Sequence, residues 1–201
     1  MSIVKLNNRS VNDITQIGSI TSLGSLTHIA TQTASSSASL SFTSGIDSTY
    51  KEYIFYFVNI HPATDTANFT FQTSTNTGSS YGVTATTTFF AAIHTEDDSS
   101  ASVAYYSSLD FAQSTSFIDL GGDTNNDNDG SLSGTMHLFN PSNTTFVKHF
   151  TARSSVYNHN PMSVDAFVSG YFNTTSAIDA VQFKFDSGNI DSGQILLFGL
   201  N

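Results

Sequence analysis

Hydrophobic residues along this chain recur at every second position in short segments. In residues 131–139, for example, Leu132, Met136 and Leu138 alternate with polar side chains, which is the period of a half-buried strand. Residues 50–60 are almost continuously aromatic or branched, which predicts a central strand buried on both faces. The pattern predicts strands over residues 38–42, 50–60, 68–73, 81–90, 116–120, 131–139, 145–153, 164–172, 177–185 and 194–200.

Clusters of Asn, Gly, Ser and Pro separate these segments, as at residues 76–79, 140–143, 158–161 and 187–189. Short strands divided by such turns are typical of an antiparallel β-sandwich. A helical period of useful length is missing from the sequence. We therefore predict an all-β sandwich over residues 34–201. A jelly roll of two four-stranded sheets suits the strand number best, and another Greek-key arrangement stays open.

Residues 1–33 differ from this pattern, because their apolar side chains are isolated among Ser, Thr and Gly. Gly and Ser are poor helix formers. We interpret the segment as an extended N-terminal arm with single apolar anchors, the alternative being a frayed terminus. The candidate anchors are Ile3, Val4, Ile14, Ile17, Ile20 and Leu23.

The composition narrows the possible functions. The chain has 32 Ser and 26 Thr, no Cys and a formal charge of −10. The absence of Cys excludes disulfides and thiolate chemistry. With only 6 Lys and Arg against 16 Asp and Glu, we expect no nucleic-acid partner. No apolar run is long enough for a membrane span or a signal peptide, so we expect no membrane insertion.

One polar loop is a candidate cation site. Asp123, Asn125, Asp127 and Asp129 alternate before Gly130, and alternating oxygen donors suit Ca²⁺. The match to a calcium loop fails further on, because Met136 stands where a bidentate Glu is required. The alternative is a solvated loop whose Asx side chains close local turns.

The sequence provides no pattern of an enzyme. The run 96–98 is acidic, but consecutive carboxylates on a strand end point in different directions. The six His residues are not spaced as metal ligands. The sequence also contains no nucleophile elbow, phosphate loop or dinucleotide fingerprint. We therefore predict a non-enzymatic protein without a cofactor.

Two aromatic pairs, Phe89–Phe90 and Tyr105–Tyr106, are adjacent in the sequence, and Tyr105 and Tyr106 are the candidates for surface recognition. In a strand, one member of each pair points away from the core. Such residues form either an intersubunit surface or a second buried face under a loop.

Several stretches resemble virion-associated proteins of marine tailed bacteriophages, including cyanophages. These stretches are residues 1–10 (MSIVKLNNRS), 47–54 (DSTYKEYI), 59–64 (NIHPAT), 138–142 (LFNPS) and 170–176 (GYFNTTS). The ending, residues 187–193 (SGNIDSG) followed by 195–199 (ILLFG), resembles the last hairpin of phage decoration and fibre-like domains.

The resemblance implies a structural protein on the surface of the phage particle, assembled in the host cytoplasm. The expected function is that of a trimeric capsid cement or decoration protein. Such a protein would bind the major capsid protein or another virion protein through the arm. The alternative is a short tail or head fibre adhesin that binds host-surface glycans, with Tyr105, Tyr106 and the 121–130 loop as its binding edge.

Overall fold

The computed structural model describes residues 26–200. These residues form β-strands with alternating buried and exposed side chains, arranged in two antiparallel sheets that pack as a sandwich. The twelve strands are β1 (Thr27–Thr33), β2 (Leu40–Phe42), β3 (Glu52–Pro62), β4 (Ala67–Ser74), β5 (Ala85–Thr95), β6 (Ala101–Tyr105), β7 (Ile118–Thr124), β8 (Leu132–Phe139), β9 (Lys148–Tyr157), β10 (Met162–Phe172), β11 (Ala180–Phe185) and β12 (Ile190–Leu200). The predicted all-β sandwich is confirmed.

The two sheets are unequal. The large sheet has eight strands in the order β1-β12-β3-β8-β9-β10-β5-β6, and the small sheet has four in the order β2-β11-β4-β7. The predicted division into two four-stranded sheets is therefore wrong. If β5, β6, β9 and β10 are set aside, the chain changes sheet at every step except from β4 to β7, which both belong to the small sheet. The more specific expectation of a jelly roll stays a prediction.

The core between the sheets is built mainly from phenylalanine. Phe183 of the small sheet lies 5.2 Å from Phe55 and 5.3 Å from Phe57 of the large sheet, between ring centroids. Phe71 of β4 meets Phe150 of β9 at 5.0 Å. These rings are buried, and they join the sheets through edge-to-face and tilted contacts that aromatic pairs favour.

Residues 27–33, which the sequence analysis assigned to the arm, are a strand of the sandwich. They form β1 and pair antiparallel with β12 along the edge of the large sheet. Thr and Ile within this segment suit a pleated strand. The six candidate anchors of the arm, from Ile3 to Leu23, lie outside the described residues.

Two further expectations are corrected. Residues 101–105, which lie outside the predicted strands, form the edge strand β6. The ending is not a hairpin, because β11 belongs to the small sheet and β12 to the large one. The turn at 186–189 instead carries the chain from one sheet to the other.

Candidate functional site

The large sheet has two chemically different ends. At one end, Thr27 of β1 pairs with Gly199 of β12, which pairs with Tyr53 of β3 and through it with Leu138 of β8. We call this the β1 end. At the opposite end, β5 and β9 finish and β10 begins. Each end carries one candidate site.

Phenylalanine side chains are exposed at the β1 end. Phe146, in the turn between β8 and β9, is 69% exposed, and Phe139, the last residue of β8, is 37% exposed. A depression of about 540 Å³ opens beside them. It is lined by Phe139, Asn140, Asn143, Thr145, Phe146, Val147, His149 and Thr175. Exposed apolar side chains around a depression are typical of a surface that a partner covers.

The turn that carries Phe146 is held by its own hydrogen bonds. The Oδ1 atom of Asn143 accepts from the backbone N–H groups of Thr145 and Phe146, both at 2.7 Å. The N–H of Asn143 in turn donates to the carbonyl of Asn140 at 3.0 Å. Asn side chains commonly close turns in this way. Phe146 is therefore presented on a structured turn.

A buried lysine supports the same turn. Lys148 is fully buried, and its Nζ donates to the carbonyl of Phe146 at 3.0 Å and to that of Thr174 at 3.1 Å. Burial lowers the pKa of the ammonium, since desolvation disfavours a charge. The bonds join the turn before β9 to the segment after β10.

The opposite end carries a polar depression of about 450 Å³ on the outer face of the large sheet. Small hydroxyl side chains dominate its lining, and larger ones border it. We call it the serine trough and define it by His94, Thr95, Glu96, Ser131, Ser133, Ser155, Tyr157 and Ser163. Ser155 and Ser163 are exposed, so their hydroxyls face solvent.

The serine trough is electrically negative. The pKa of Tyr157 is raised, first by the charge of Glu96, then by desolvation and by Asp129 and Asp127. The phenol therefore keeps its proton and can donate a hydrogen bond. Such a surface favours neutral or cationic ligands over anions.

An aromatic ladder lies beside the trough on the same face. Phe90 of β5 and Phe167 of β10 stack with centroids 4.9 Å apart and an interplanar angle of 2°. The guanidinium of Arg153, on β9, lies 4.9 Å from the centroid of Phe167 and donates to Asp165 at 2.9 and 2.6 Å. Because β9 and β5 flank β10, both faces of the Phe167 ring are covered.

The aromatic pairs divide as the strand pattern predicts. Phe89 is buried and Phe90 is 41% exposed, while Tyr105 is 55% exposed. Tyr106 is half-buried and packs edge-to-face on Phe89 at 6.0 Å. Tyr105 therefore remains a candidate for surface recognition, whereas Tyr106 belongs to the edge of the core.

The candidate cation loop is closed by local hydrogen bonds. Asn125 is buried, and its Oδ1 accepts from the N–H of Asp127 at 2.5 Å while its Nδ2 donates to the Asp127 carboxylate at 3.2 Å. Asp123 lies earlier, within β7. Within residues 26–200, no three His, Cys, Asp or Glu side chains gather as metal ligands would. The cation site at Asp123, Asn125, Asp127 and Asp129 therefore stays a prediction, and the hydrogen bonds of Asn125 agree with the alternative of a locally closed turn.

Sequence reasoning missed both end sites. Ser155 and Ser163 are two among many serines, and only the register places them beside Tyr157. Phe146 falls within the strand predicted over residues 145–153, but β9 begins at Lys148. The Asn-Pro-Ser-Asn cluster at 140–143 was the one available sign of a longer turn.

Comparison with known proteins identifies no relative. No family model, no curated protein and no solved structure matches this chain. Residues 26–200 also contain no helix with the length and apolar character needed to cross a membrane.

Proposed function

We propose that this chain is a non-enzymatic structural protein of a bacteriophage particle, a trimeric cement protein that binds the outside of the assembled head. The exposed phenylalanines at the β1 end carry the proposal, together with the sequence resemblance. The partner is the major capsid protein or another virion protein.

The β1 end suits attachment for two reasons. Exposed Phe139 and Phe146 would bury their rings on contact with a partner, and burial of apolar area stabilises association. The same end is where residues 1–25 join β1, so arm and phenylalanines could engage one partner together. Two linked contacts bind more tightly than either contact alone.

Stabilisation of the head follows from mass action. A protein that binds only the assembled shell lowers the free energy of that state and not of the dissociated subunits. A trimer multiplies the effect, because three attachment ends engage symmetry-related sites at once. No catalytic step is required of any residue.

The test is binding of purified protein to particles that lack it. Phe146→Asp places a charge in the proposed contact and is expected to weaken binding at least tenfold. Val103→Asp is the matched control, because Val103 is 72% exposed on β6 at the opposite edge and should bind normally. Deletion of residues 1–25 should abolish binding while the sandwich keeps its unfolding temperature.

The outcome is read by co-sedimentation and by cryo-EM of the virion. Trimeric knobs at capsid symmetry positions, with the β1 end toward the shell, would support the cement function. Density at the tail or at fibre ends would overturn it, as would equal loss of binding in the Phe146 and Val103 variants.

A second candidate function is that of a short fibre adhesin for host-surface glycans. The serine trough favours it, because this polar depression faces away from the β1 end and would point outward on an attached protein. The aromatic ladder gives weaker support to the adhesin function. Sugars stack on exposed ring faces, and both faces of Phe167 are already covered.

A further inference from the structure

We propose that the serine trough is a binding site for a neutral saccharide. The inference deepens the second candidate function and does not depend on attachment to a particle, since it concerns the free protein.

Strand register produces the trough. Ser155 of β9 pairs with Ser133 of β8 and with Asp165 of β10, so small side chains occupy adjacent strands. One step further along, Ser163 of β10 lies between Tyr157 of β9 and His94 of β5. Serines on the central strands and larger rings at the sides leave a depression in an otherwise flat sheet face.

The floor of the trough offers hydroxyl groups that other residues do not use. Among the hydrogen bonds within residues 26–200, none involves the side-chain oxygens of Ser131, Ser155, Ser163 or Tyr157. The Oγ of Ser133 accepts from the N–H of Asn59 at 3.0 Å, which leaves its own hydrogen available. Each hydroxyl can both donate and accept. That dual capacity matches the hydroxyl groups of a sugar.

Charge selects among polar ligands. Glu96 lines the trough, and Asp127 and Asp129 act on Tyr157 from its border. The guanidinium of Arg153, on the strand beside the trough, is engaged in two hydrogen bonds to Asp165. Phosphate, sulfate and acidic sugars would therefore be repelled, and a neutral polyol would not.

Size and rigidity agree with one or two sugar rings. The volume, about 450 Å³, falls within the range of roughly 300–1,000 Å³ that is usual for small-molecule sites. His94 is held by Asp98 at 3.0 Å. The lining residues lie on or directly beside strands of the large sheet, so the site needs little ordering on binding.

The experiment uses the full chain on an array of neutral and acidic oligosaccharides. The best neutral saccharide is then titrated while amide NMR shifts are followed. We expect neutral sugars to bind in preference to acidic ones, with shifts at Tyr157 and Ser163. Ser155→Tyr fills the trough and should reduce affinity at least tenfold. Thr151→Tyr, on the same face of β9 but outside the trough, should bind as the unmodified protein does.

Three results would overturn the proposal. The first is no binding of any neutral saccharide up to about 10 mM, a concentration that would detect even millimolar affinity. The second is a clear preference for acidic saccharides. The third is an equal loss of saccharide affinity in the Ser155→Tyr and Thr151→Tyr variants. Particle binding by Ser155→Tyr is measured in parallel. Because that binding uses the β1 end, the cement function and the saccharide site can fail independently.

Discussion

Gly121 of β7 lies against Val156 of β9 so closely that a Cβ atom on Gly121 would stand 2.9 Å from the Cγ2 of Val156. Both residues are buried. The contact joins the edge of the small sheet to the middle of the large one. Glycine here is a requirement of packing, since its missing side chain lets the sheets approach.

Gly121→Ala should therefore destabilise the protein by about 1–3 kcal/mol, the usual cost of overpacking. Gly122→Ala is the control, because a Cβ at Gly122 meets its nearest neighbour at an ordinary 3.4 Å. Chemical denaturation measures both variants. Val156→Ala should restore part of the loss when combined with Gly121→Ala. Equal effects of the two glycine variants would contradict this account.

Asp119 should make stability fall as the pH rises. Burial raises the pKa of this carboxyl to about 7, with a further contribution from the charge of Asp186. The folded protein then holds a proton that the unfolded chain releases near pH 4. Stability is complete below that pH and is lost as the pH rises toward 7.

Asp119→Asn should therefore stabilise the protein at pH 8 and change little at pH 4. The gain has an upper limit of about 4 kcal/mol, given about 1.36 kcal/mol for each pKa unit. Thermal unfolding across this pH range measures it. Asp191→Asn removes an exposed carboxylate of β12 and provides the control. An unchanged pH profile in Asp119→Asn would refute the assignment.

Lys148→Met should destabilise the protein by about 1–3 kcal/mol. The methionine keeps most of the buried stem but removes the two hydrogen bonds to the carbonyls of Phe146 and Thr174. Hydrogen bonds that involve a charged group contribute about this much. The lowered pKa of Lys148 adds a pH signature. Unmodified protein should gain stability as the pH rises through that lowered pKa, and the variant should lose this slope.

Lys184→Met provides the comparison, because the Lys184 ammonium lies 4.4 Å from the ring centroid of Phe117 and is half-exposed. Its effect on stability should be smaller. Amide hydrogen exchange should show faster opening of residues 140–147 in Lys148→Met alone. Protection equal to that of the unmodified protein would mean that the lysine does not hold the turn.

The stacked rings of Phe90 and Phe167 should be energetically coupled. Aromatic pairs contribute about 0.5–1.5 kcal/mol beyond their buried area. A double-mutant cycle with Phe90→Ala and Phe167→Ala measures the coupling. Val103→Ala, on the neighbouring strand β6, replaces Phe90→Ala in a control cycle and should give a coupling near zero. If the changes in unfolding free energy of the two phenylalanine variants are additive, the contact between the rings does not stabilise the protein.

Strand periodicity made the fold class predictable. Phe69 and Phe71 share a face in the sequence pattern, and both rings are buried between the sheets. Residues 50–60 were expected to form a central strand buried on both faces. The central position is confirmed, since β3 lies inside the large sheet between β12 and β8, but burial on both faces is wrong, since Val58 is 42% exposed. Alternation reports which side of a strand is buried, so it is reliable wherever a core demands it.

Sheet membership and the candidate sites were not predictable in this way. Periodicity does not state which strands are neighbours. The last hairpin that the resemblance implied for the ending is absent, because β11 and β12 lie in different sheets. The trough depends on Ser155 of β9 standing beside Ser133 of β8. That relation is a property of register, which one sequence without a structure leaves open.

The position of β12 in the large sheet limits how early the fold can be completed during synthesis. It is the last strand in chain order, yet it lies between β1 and β3 in the large sheet. β1 and β3 cannot pair with β12 until the ribosome has synthesised the strands in between. Pairings between distant segments fold slowly and leave strand edges open in the meantime. We expect the sandwich to form only after β12 has left the ribosome, and to need protection from aggregation until then.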